Sequence, residues 1–104
     1  MFLWPEPLIA GTDAVLDAFE RDAATVDRNS DRAVLTLVKT VVLALNGVNR
    51  KVREQDLMGY ETGEREQLCL YIVDTLVAVG VDVDSLADRH GMTRSELGDD
   101  WREW

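Results

Sequence analysis

The sequence predicts an all-α fold: a small helical bundle of three main helices plus a short C-terminal helix-turn-helix-like corner. Three observations predict it. Apolar residues recur at helical spacing over most of the chain. The only two prolines, Pro5 and Pro7, stand at the N-terminus, so nothing downstream of them forbids long helices. No segment alternates polar and apolar residues for long enough to make a strand; Val81-Asp82-Val83 is too short.

The prolines predict an extended N-terminal arm over residues 1–11, followed by a single helical domain over 12–104. Thr12 or Asp13 is a suitable cap for a first helix running to about Asn29, with Val15, Phe19, Ala23 and Val26 on its inner stripe. Ser30 or Asp31 opens a second helix to about Val52. It is apolar almost all round from Ala33 to Val48, which predicts a central position. A loop over 53–62 leads to a third helix, from a Thr62 cap to about Val79, ended by Gly80. Asp84 is the expected cap of a short helix over Ser85–His90. Thr93-Arg94-Ser95-Glu96 fits a capping box, so a last helix is expected from Arg94 almost to Trp104.

One hundred and four residues make one domain, and 46% apolar with 30% charged residues is globular composition. A net charge of −9 opposes binding to nucleic acid phosphates and favours a basic partner over an acidic one. The corner over 82–100 has the shape of a helix-turn-helix. Its second helix, however, would carry Glu96, Asp99, Asp100 and Glu103 against only Arg94 and Arg102, so nucleic acid is not the expected partner. The most apolar run, Ala33–Leu45, contains Lys39 and is too short to span a bilayer. With one cysteine, no internal disulfide and no signal-peptide pattern at the N-terminus, a cytoplasmic location is expected.

Catalytic machinery has few candidates. His90 is the only histidine and falls at a helix end, where an imidazole meets the negative end of the dipole. Cys69 lies between Leu68 and Leu70, as an inert structural thiol does. No catalytic residue, metal ligand set or cofactor is therefore expected. Arg50-Lys51-Val52-Arg53 closes the second helix and satisfies its dipole, with a local anion site as the alternative.

The candidate binding residues form two sets. Asn46 and Asn49 share a face of the apolar second helix, and amides near a buried face must find partners. The first expectation is that they tie down the 53–62 loop. The second is a polar pocket lined by Asn46, Asn49, Glu61, Arg65 and Glu66. At the C-terminus, Trp101 and Trp104 stand three apart. They are expected to pack on the core, against Trp4 and the arm, or to anchor another chain.

The run Ala44-Leu45-Asn46-Gly47-Val48-Asn49, the helix start Glu61-Thr62-Gly63-Glu64-Arg65-Glu66-Gln67-Leu68-Cys69 and the end Trp101-Arg102-Glu103-Trp104 resemble a group of small uncharacterised bacterial proteins. The resemblance covers roughly residues 33–104. It implies a compact helical bacterial protein and carries no activity.

Function is not readable from these residues, but they rank the classes. The leading expectation is a non-enzymatic acidic module that binds a protein, a basic one, in the manner of an inhibitor or immunity protein. The second is a self-associating structural homodimer, formed if the second helix keeps an uncovered apolar patch. A small enzyme using Glu61, Glu64, Arg65 and Glu66, and an acidic helix-turn-helix regulator, rank below these.

Overall fold

A computed structural model describes residues 6–104. Four α-helices follow in order: α1 (Glu6–Ala23), α2 (Asp31–Glu54), α3 (Thr62–Ala78) and α4 (Val83–Arg89). A single 3₁₀ turn follows over Arg94–Glu96. No strand occurs among the described residues, and the molecule is an all-α bundle.

The core is built on α2. Val34, Val38, Val42 and Leu45 recur at helical spacing and are almost fully buried, with Leu37, Val41 and Val52 beside them. Each such side chain contributes about 1.5–3 kcal/mol over its exposed state. Ser30 caps the helix, its hydroxyl accepting from Ala33 N at 3.2 Å. The helix is less apolar outside than its sequence suggests. Arg32, Thr36, Lys39, Thr40, Gly47 and Arg50 form an exposed stripe in which Leu43 is the one large apolar side chain.

α1 runs along α2 and buries Leu8, Thr12, Phe19 and Ala23. It begins at Glu6, so residues 6–11 are helical and not the expected extended arm; residues 1–5 lie outside the described residues. Pro7 permits this because the first turn of a helix has no use for its missing N–H. The helix stops at Ala23, short of Asn29. In the turn that follows, the Asp27 carboxylate accepts from Asn29 N at 3.1 Å, a local bond that competes with helix.

α3 buries Leu68, Ile72, Val73 and Leu76. Its cap position is Glu61, one residue before the expected Thr62, and no side chain caps it. Gly80 ends α3 in the left-handed region (φ +93°), letting Val81 N return to Leu76 O at 3.0 Å. Asp82, not Asp84, caps α4: its carboxylate accepts from Ser85 N and Ser85 Oγ.

The C-terminal segment departs furthest from expectation. The Thr93–Glu96 pairing forms, with Glu96 Oε1 accepting from Thr93 N at 2.9 Å. Only one 3₁₀ turn follows, so the corner lacks a second helix long enough to lie in a DNA groove. Residues 97–104 instead bridge α2 and α3. Leu97 is buried, and Gly98 lies so close to α2 that a Cβ there would sit 2.8 Å from Val42 Cγ2. Val42 is stiff and fully buried, so it has nowhere to retreat. Gly98→Ala is expected to destabilise the fold by about 1–3 kcal/mol in urea unfolding, the range for overpacking.

Candidate functional site

Two buried amides organise one end of the bundle. Asn46 is 1% exposed. Its Nδ2 donates to Trp101 O at 2.7 Å, and its Oδ1 accepts from Glu103 N at 3.0 Å. A helix ending at Trp104 would have paired the Glu103 amide but left the Trp101 carbonyl open, and Asn46 supplies a partner to both. One turn later, Asn49 Oδ1 accepts from Tyr60 N at 2.8 Å. Asn49 therefore ties down the 53–62 loop as expected, while Asn46 holds the C-terminus.

Tyr60 joins both ends of this clasp. Its hydroxyl pairs with Thr12 Oγ1 of α1 at 2.6 Å. Its ring meets Trp104 edge-on, with centroids 5.3 Å apart. Burial pushes the phenol pKa up. Gly59 precedes it because a Cβ there would collide with Asn49 Oδ1. Trp104 is turned inward and 8% exposed, and Trp101 packs partly buried on the core; their expected contact with Trp4 lies outside the described residues.

The residues expected to line one polar pocket fall into separate places. Asn46 and Asn49 border a shallow cleft with Arg50, Arg53, Glu54 and Glu103. Arg50 pairs there with Glu103 at 3.4 Å. Arg65 and Glu66 border a different hollow, between α3 and the C-terminal segment, of about 490 Å³. Glu61 is exposed and lines neither. Sequence reading missed this hollow because Arg94 and Arg102 reach it only through the long-range return of the C-terminus.

A third cleft lies at the opposite end, lined by Arg28, Asp31, Asp82 and Arg89 among others. Asp31 accepts two bonds from Arg89, at 2.8 and 2.6 Å, and His90 Nε2 lies 3.1 Å from the same carboxylate. The Arg89 guanidinium holds the Asp31 carboxyl down at about 2. His90 thus ends α4 and joins an ion cluster. No group of three or more His, Cys, Asp or Glu among the described residues is arranged to hold a metal ion. No helix among them is long and apolar enough to cross a membrane.

The acids divide by use. Asp84 pairs with Arg94, Asp99 with Arg102 and Asp31 with Arg89. Asp82 is occupied by its cap. Along α1, by contrast, Glu6, Asp13, Asp17 and Glu20 are exposed, and no cation among the described residues lies within ion-pair distance of them. Their spacing of seven, four and three residues puts them on one line about 21 Å long. That line lies along the flank of α1, about a third of a turn from Leu8, Thr12 and Phe19, with exposed Arg21 one turn after Asp17.

No protein-family model, curated protein or solved structure matches the chain.

Asn46→Ala leaves the part-buried Trp101 carbonyl and Glu103 amide without their partner. It is expected to cost about 1–3 kcal/mol in chemical unfolding and to change the tryptophan emission as the C-terminal segment loosens. The Asp31 carboxyl, depressed from 3.8 to about 2, contributes stability above pH 4 that is lost as pH falls toward 2. An NMR carboxyl titration is expected to place its midpoint near 2. In Arg89→Gln that midpoint rises toward 3.8, and the part of the acid destabilisation due to Asp31 shrinks with it.

Proposed function

We propose that the chain is a non-enzymatic binding module whose partner is a basic protein, in the manner of a small acidic inhibitor or immunity protein. The observation that carries this reading is the exposed acidic line Glu6, Asp13, Asp17 and Glu20 along α1, four carboxylates outside any ion pair among the described residues with Arg21 as the one cation on the same helix. Of the acids near the C-terminus, Asp84 and Asp99 already hold arginines, and Asp88 and Asp100, outside any ion pair among the described residues, form no such line. Carboxylates fixed along a rigid helix present a regular row of negative charge at little cost in ordering. Such a row accelerates encounter with a cationic surface and rejects acidic and phosphate-bearing ones.

Self-association is the second reading. The patch on α2 that would favour it is reduced to Leu43, but α3 exposes Leu70 at 58% and Val77 at 48%, one face apart by two turns. An acidic line repels its own copy, so a homodimer would have to form through α3 and leave α1 free.

The test is affinity capture at low salt, followed by reconstitution with the purified captured protein. The reading predicts a basic protein whose binding weakens with rising salt. It also predicts about a tenfold or greater loss in the triple variant Asp13→Asn, Asp17→Asn, Glu20→Gln, with the fold unchanged by circular dichroism. Binding that ignores both salt and the triple variant contradicts it, and recovery of the chain alone as a dimer transfers the reading to α3.

A further inference from the structure

The hollow between α3 and the C-terminal segment has a composition at odds with the rest of this acidic molecule. Its floor is apolar, formed by Cys69, Leu70 and Val73, and three arginines, Arg65, Arg94 and Arg102, stand around it. Its volume of about 490 Å³ suits a small molecule.

The three arginines differ in what they already hold. Arg94 donates twice to Asp84, at 2.8 and 3.0 Å. Arg102 pairs with Asp99 at 3.1 Å, donates to Cys69 Sγ at 3.0 Å and lies over the Trp104 ring at 5.4 Å. Arg65 has no carboxylate within ion-pair distance among the described residues, and its buried Nε has no hydrogen-bond partner. That Nε is sealed even from water, so a ligand in the hollow meets Arg65 through its terminal nitrogens, which no carboxylate among the described residues holds. The neighbouring cations are fixed by their own carboxylates and by the tryptophan, so the local arrangement is rigid before anything binds.

We propose that this hollow binds a small amphipathic anion, an aliphatic carboxylate, with its headgroup on Arg65 and its chain on Cys69, Leu70 and Val73. A carboxylate matches the two terminal nitrogens of the Arg65 fork and supplies the counter-charge that no side chain among the described residues provides. The aliphatic chain covers Leu70, which is otherwise 58% exposed. Glu66 at the rim opposes the anion and limits its affinity. The site is separate from the acidic line of α1 and does not depend on the proposed partner.

Cys69 is the only cysteine in the chain and lines the hollow, so its alkylation rate reports occupancy once circular dichroism shows the fold unchanged. The experiment measures alkylation of the full chain with iodoacetamide against rising decanoate, below the micelle concentration, with decanol as the uncharged control. Decanoate is expected to protect Cys69 saturably and decanol weakly. Arg65→Met is expected to weaken protection about tenfold or more, the scale of a lost charge-assisted hydrogen bond. Glu66→Gln, on an exposed position, is expected to strengthen it, and decides the matter if Arg65→Met fails to fold. Absence of protection, equal protection by decanol, or protection indifferent to both variants overturns the proposal.

Discussion

The shape of this molecule depends on one residue in the middle of an apolar helix. Asn46 is a polar side chain at a position where the surrounding pattern places valine and leucine, and burying it without partners would be costly. It recovers that cost by taking a carbonyl and an amide from the C-terminal backbone, 55 and 57 residues away. The C-terminal segment is thereby held across α2 and α3. Everything distinctive about the surface follows: Trp104 turns in against Tyr60, Arg102 reaches Cys69, and the hollow beside α3 acquires its second wall.

The second amide, Asn49, extends the same constraint to the loop before α3. Through Tyr60 it links three segments that the sequence separates: α1 at Thr12, the loop at residue 60 and the C-terminus at Trp104. A buried polar network of this kind specifies one arrangement over others of similar apolar burial, because any alternative leaves its members unpaired. The bundle therefore presents two chemically different surfaces in fixed places. The line along α1 is acidic, while the hollow on the α3 side collects arginines.

The helices themselves were legible because local signals agree with the tertiary fold. Ser30 is a good cap and is the cap; Gly80 is a good stop and adopts the left-handed conformation required. The bond from Asn49 to the loop was legible for a related reason, since it spans only eleven residues and the loop directly follows its helix. Three features were not. Pro7 reads as a helix breaker by residue type and as a tolerated first-turn residue by position. The capping box at Thr93 promises a helix, and the chain makes one 3₁₀ turn and then only isolated turns as far as the bond from Arg102 N to Gly98 O, with Asn46 holding Trp101 and Glu103. The hollow combines residues of α3 with Arg94 and Arg102, and no spacing rule connects positions that only a chain reversal brings together. Asn46, Asn49, Arg65 and Glu66 were marked by their chemistry; their division between two clefts was set by tertiary structure.

Native-state hydrogen exchange at two amides tests this account most directly. Tyr60 and Glu103 lie in irregular backbone, where amides ordinarily exchange through small local openings. If Asn49 and Asn46 hold them as described, both amides exchange only with global unfolding, at rates shared with the core of α2. Exchange as fast as that of their exposed neighbours Glu61 and Asp100 would mean that the loop and the C-terminal segment are not clasped, and would contradict the account.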